Sequence, residues 1–109
     1  MSRRRSLDRR TLAPRDYLVD PWLFGLRPDT PARTASGGDP RSRAVAEVQH
    51  QLAYRLRLQD DRHAAARVTQ RFGFSKQQWS NCLLGRTWMG ETGMAAAVWL
   101  LHQRSGSDT

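Results

Sequence analysis

Eight residues in the second half of the chain, Phe72-Gly-Phe-Ser-Lys-Gln-Gln-Trp79, constrain the fold more than any others. Gly73 can take the left-handed conformation that ends a helix tightly. Ser75 stands three residues before Gln78, the spacing of a capping box. Its hydroxyl accepts one orphan backbone N–H, and the Gln78 amide reaches back to another. Phe74 precedes the cap and Trp79 takes the fourth helical position, the spacing of a hydrophobic staple. One helix is predicted to stop and another to start within three residues. The second leaves the turn at a fixed angle.

The flanking sequence is helical on both sides. Val45, Val48, Leu52 and Leu56 recur at three- and four-residue steps, predicting one apolar stripe. Asp60 or Asp61 can cap the next helix, which holds Ala64, Ala65, Ala66 and Val68 and reaches Phe72. After the turn, a helix from Lys76 to Leu84 gathers Trp79, Cys82 and Leu83 on one face. Gln77, Ser80, Asn81 and Leu84 fall on the other, with Lys76 at its edge. Gly85 closes that helix and Arg86 to Gly90 form a loop. A last helix from about Glu91 is predicted to bury Met94, Ala97, Val98 and Leu101. The expected fold is all-α, with four to five short helices around one core. Trp79, Trp99 and Cys82 are expected in that core, and Trp88 at its edge.

The first forty residues read differently. Residues 1–15 form a basic arm, with Arg3, Arg4, Arg5, Arg9 and Arg10 and almost nothing to bury, so no independent folding is expected there. Residues 16–26 concentrate Tyr17, Leu18, Val19, Trp22, Leu23, Phe24 and Leu26 around Pro21 and Gly25. So aromatic a patch should dock. Three docks are open to it: its own domain, a second copy, or another protein, with Tyr17, Trp22, Leu23 and Phe24 as the gripping side chains. Residues 27–43 hold three Pro and two adjacent Gly and read as a linker. The folded domain is expected over 44–104, followed by a short tail, 105–109.

Charge narrows the partner. The chain has 109 residues, a formal net charge of +8 and one Cys; 17 of its 18 cations are Arg. The arm carries +5, residues 16–40 carry −2, and residues 41–109 carry +5. A polyanion is the expected partner. A lone Cys excludes an internal disulfide. The longest apolar run, Met94 to Leu101, is far short of the ~20 residues a membrane helix needs, and no signal peptide is expected. The expected location is cytoplasmic, with the nucleoid.

A helix, a three-residue turn containing Gly and a capped helix with a polar outer face is the helix-turn-helix arrangement. More specifically, Val68-Thr-Gln-Arg-Phe-Gly-Phe-Ser-Lys-Gln-Gln-Trp-Ser-Asn-Cys-Leu-Leu-Gly-Arg-Thr87 resembles the Cro/phage-repressor-like (XRE-type) DNA-binding family. Gly73 matches its turn glycine, Trp79 and Cys82 its buried positions, and Gly85 the glycine closing the recognition helix. The sequence departs at Thr69, where the family prefers Ala, and in the size of Trp79 and Cys82, which bears on the base register. The resemblance implies a small lambda-repressor-like domain with an extended N-terminal arm. It implies a sequence-specific regulator of transcription, a repressor among them, with double-stranded DNA as partner and helix 76–84 in the major groove. Lys76, Gln77 and Asn81 are then the base-facing residues, since amides suit adenine N6/N7 and an ammonium suits guanine O6/N7. Ser75, Gln78, Ser80, Arg86, Thr87, Arg67 and Arg71 would meet the backbone, and the arm would add phosphate contacts. A homodimer is implied, because one such helix reads only about four to five base pairs.

Two rival readings stand beside this one. In the first, residues 17–26 hold a larger protein partner and the helical domain assists or binds DNA non-specifically; in the second, the protein compacts DNA without sequence preference. His50, His63 and His102 lack Cys or carboxylates at ligand spacing, so no metal site is expected. No nucleophile arrangement, phosphate-cradling Gly loop or paired carboxylates point to an enzyme, and no cofactor is expected.

Overall fold

The computed structural model describes residues 12–31 and 40–107, with side chains as far as 103. Among them are four α-helices, α1 (Pro40–Gln59), α2 (Ala64–Phe72), α3 (Lys76–Leu83) and α4 (Gly90–Ser107), with no strand. Two 3₁₀ turns, Pro14–Tyr17 and Pro21–Leu23, precede them. Pro40 opens α1, where a missing N–H costs nothing. α1 lies against α3, α4 and the first 3₁₀ turn, while α2 packs on α3 and α4.

The domain begins well before residue 44. Tyr17 and Phe24 are each 2% exposed and Leu18 is buried, so these side chains serve their own domain, not a partner. The Tyr17 ring meets Trp88 edge-on at 6.0 Å, and Phe24 packs on His50 at 5.2 Å. Only Trp22, 71% exposed, and half-buried Leu23 stay accessible among the four expected gripping residues. The start of the expected linker is also tied back. Val19 N–H donates to Pro31 O at 3.0 Å, and Gln51 Nε2 donates to Pro28 O at 2.9 Å. Residues 40–43 are the first turn of α1, and 32–39 lie outside the described residues.

This added layer explains why α1 buries a different face from the one its valines mark. Ser42, Ala46, Gln49, His50, Ala53 and Leu56 are buried, while Val48 is 51% exposed. α1 serves two neighbours at once, and small side chains let the 12–31 segment approach. The core accordingly has two parts. Leu56, Val68, Trp79, Cys82, Met89, Ala96, Ala97 and Leu100 form the larger, with Leu52, Met94, Trp99 and Leu101 packed on it. Leu18, Phe24 and Ala53 form the smaller, one α1 turn away. On α4 the expected stripe is likewise shifted: Ala96, Ala97 and Leu100 are buried and Val98 is 54% exposed.

The turns are built by local chemistry. Asp60 has a left-handed φ of 51° and ends α1 instead of capping α2. Asp61 does the anchoring, its Oδ1 accepting from His63 N–H at 2.9 Å and its Oδ2 from Arg67 Nη1 at 2.7 Å. Gly73, at φ 83°, ends α2 with its N–H on Thr69 O at 3.1 Å. Gly85, at φ 76°, is held to glycine for a second reason as well. A Cβ there would sit 2.6 Å from the Phe24 ring, whereas one at Gly73 would meet nothing within 4 Å.

Gly73→Ala is therefore expected to cost only backbone strain, about 1–2 kcal/mol. Gly85→Ala adds overpacking against Phe24 and should cost about 2–4 kcal/mol in urea unfolding. Equal losses would exclude the close approach.

His50 supplies a pH prediction. Its Nδ1 accepts from Gly25 N–H at 2.8 Å, and burial holds its pKa below the ordinary 6.5, against opposing effects of the Arg27 backbone and Glu47. The unfolded chain thus binds the proton more readily than the native one. Stability from this site is fully present above pH 6.5 and is lost as pH falls toward the lower native pKa. His50→Asn, which keeps an acceptor for Gly25, should flatten the fall in stability as pH drops below 6.5. An unchanged slope would remove His50 as its source.

Candidate nucleic-acid interface

α3 is fixed at its start, along its inner face and at its end. Ser75 Oγ accepts from Gln78 N–H at 3.0 Å, and Gln78 Oε1 accepts from Ser75 N–H at 2.8 Å, so the capping box is closed. Phe74 lies on Trp79 with ring centroids 5.9 Å apart, completing the staple. Trp79 and Cys82 are buried beneath the helix. Burial pushes the Cys82 thiol pKa up, against the pull of the Thr87 hydroxyl 3.7 Å away, which keeps the sulfur protonated and unreactive.

The end of α3 is held by a residue that sequence reading passed over. Gln49 is fully buried on α1. Its Nε2 donates to Cys82 O at 2.8 Å and Thr87 O at 2.9 Å, and its Oε1 accepts from Met89 N–H at 3.0 Å. One amide thus fixes the last turn of α3, the loop after it and the start of α4. A Gln within a helix carries no sequence signal of burial; only the hydrogen-bond demand of the loop shows it.

The outward face of α3 presents Lys76, Gln77, Gln78 and Ser80 exposed, with Asn81 half-buried. Gln77 Nε2 donates to Asn81 Oδ1 at 3.1 Å. This bond orients both amides and leaves Gln77 Oε1 as an acceptor and Asn81 Nδ2 as a donor. Gln78 is committed to the cap. Leu84 is partly exposed at the helix end. Arg86 and Thr87 are exposed in the following loop, and Arg86 N–H is held by Asn81 O at 2.9 Å.

Arg67 and Arg71 are engaged with α4. Their guanidinium carbons lie over the Trp99 ring of α4, at 5.4 and 5.0 Å, and Arg67 is ion-paired with Asp61. Trp99, half-buried, packs edge-on against Phe72 at 5.6 Å. Arg3, Arg4, Arg5, Arg9 and Arg10 lie outside the described residues. Where the chain enters the fold is defined, however. Leu12 O accepts from Trp88 Nε1 at 2.9 Å, and Arg15 N–H donates to Gly85 O at 3.0 Å, beside Arg86 and Thr87.

Among the described residues no three His, Cys, Asp or Glu side chains gather as metal ligands. No helix among them is long and apolar enough to cross a membrane. No protein-family model, curated protein or solved structure matches the chain.

Gln49→Leu keeps the volume but strands the Met89 N–H and the Thr87 carbonyl. It should cost roughly 3 kcal/mol or more in urea unfolding and speed amide exchange across 85–89. A loss below about 1 kcal/mol would show that the loop holds itself.

Proposed function

We propose that this chain is a sequence-specific double-stranded DNA-binding regulator of the helix-turn-helix type, with α3 in the major groove. The observation that carries the reading is the rigid presentation of α3. Capping box, staple and Gln49 hold it so that Lys76 and the linked amides of Gln77 and Asn81 face outward. An acceptor and a donor side by side suit the N6 amine and N7 of adenine. Ser75 and the first free N–H groups of α3 suit a phosphate. Arg86, Thr87 and the root of the basic arm lie at the far end of the same helix, where backbone contacts would set register. Arg67 and Arg71 act in this reading as the α2–α4 contact around Trp99.

The protein-partner reading narrows to the exposed side chains of the segment, Val19, Trp22 and Leu26. Burial of Tyr17 and Phe24 removes half of that grip, leaving Trp22 and half-buried Leu23.

Selection of bound duplexes from a random library, followed by titration of the enriched site and a scrambled duplex, tests the reading. Gln77→Ala or Asn81→Ala should lower affinity for the enriched site by ~1–3 kcal/mol and leave the scrambled duplex nearly unaffected. Equal loss on both duplexes would sink base reading. Binding with no enriched sequence would favour compaction.

A further inference from the structure

The two parts of the core meet around a cavity. Ala53 belongs to the smaller part, with Leu83 packed on it, and Leu56, Trp79 and Leu100 belong to the larger. All five line one cavity of about 260 Å³, and Ala64 of α2 lines it too, so each of the four helices contributes. These walls are apolar. Ala53, Leu56, Trp79 and Leu100 are buried from the outer surface. A dry apolar cavity of about 150 Å³ takes up benzene. This one is large enough for an aromatic ring and several further atoms.

The rim is charged. Arg57, Asp60 and Asp61 complete the lining. Asp61 is already committed, its two carboxylate oxygens held by His63 N–H and by Arg67. Arg57 and Asp60 are exposed, and among the described residues no ion pair or side-chain hydrogen bond engages either of them. They stand three residues apart where α1 ends, with Asp60 N–H donating to Arg57 O at 3.2 Å. The cavity thus has an apolar interior and, at its mouth, one available cation beside one available anion. That is the usual division of labour in a ligand site: apolar walls hold the body, and a few polar groups orient it.

The two charges also restrict the ligand. A simple acid meets Asp60, and a simple amine meets Arg57. A peptide carries only one of the two complementary groups at either end. A zwitterion on an apolar body satisfies both, since a guanidinium suits a carboxylate and a carboxylate suits an ammonium.

We propose that this cavity binds a free amino acid with an aromatic side chain, the ring among Leu56, Trp79 and Leu100, the carboxylate on Arg57 and the ammonium on Asp60. Trp79 and Leu83 belong to the inner side of α3, so the ligand lies beneath that helix. The site stands whether or not α3 meets DNA.

Calorimetric titration of the full chain with L-phenylalanine tests it. Saturable binding is expected, with a Kd of about 1 mM or below. Phenethylamine, which lacks the carboxylate, and 3-phenylpropionate, which lacks the ammonium, should each bind about fivefold or more weakly. Arg57→Gln should bring phenylalanine down to the affinity of phenethylamine, and Asp60→Asn to that of 3-phenylpropionate. Both side chains are exposed, and Asn accepts the left-handed φ at position 60, so neither change threatens the fold. No saturable heat up to about 10 mM phenylalanine overturns the proposal and leaves the cavity to solvent or to a protein partner. Analogues that bind as tightly as the amino acid overturn it too, as do rim variants that change nothing. Gln77→Ala with Asn81→Ala should bind phenylalanine as the wild type does, which separates failure here from failure of the DNA reading.

Discussion

Three of the four helices meet at one side-chain amide. Gln49 leaves α1 and satisfies the last turn of α3, the loop beyond it and the entry to α4. A loop of this kind has backbone groups that its own helices do not use, and burying them without partners would be costly. Gln49 supplies those partners from inside the core. The orientation of α3 thus depends on α1 as well as on the turn that precedes it. α2, by contrast, is attached through apolar contacts and the stacking of Arg67 and Arg71 on Trp99.

The legible part of this fold is its local part. The stop at Gly73, the Ser75–Gln78 box and the Phe74–Trp79 staple each involve residues within five positions of one another. Their geometry follows from side-chain reach alone. Burial is a different matter. Val48 and Val98 carry the strongest apolar character on their faces, yet they point outward. Ala46, Ala53 and Ala96 are buried because a neighbouring backbone comes close. Small residues at a close approach have no hydrophobic signature, so periodicity finds Leu56 and Ala97 but turns the stripes of α1 and α4 too far toward Val48 and Val98. The fate of Tyr17 and Phe24 was undecidable for a related reason: their dock is the flank of α1 and the loop at Gly85, far away in sequence.

Of the candidate site, the outward placement of Lys76, Gln77 and Ser80 was readable from the helical period, because the capped turn fixes which side is buried. The Gln77–Asn81 bond, the commitment of Arg67 to Asp61 and the anchoring of Leu12 on Trp88 were not. Each depends on which side chains share a neighbourhood in three dimensions. Together they separate two kinds of charge in a chain of net +8. Some guanidinium groups hold helices together, and others remain at the surface near α3.

Phe24 and Gly85 carry a consequence for how such a chain can drift over time. The aromatic ring occupies the volume that any side chain at position 85 would need. A side chain at position 85 therefore requires a change at position 24 as well. A lineage that shed the N-terminal segment would lose the ring and be left with only the backbone reason, a φ of 76°, for glycine at the end of α3. One that kept the ring would have to keep the glycine too. The history of the N-terminal extension should thus be recorded in the loop that follows α3.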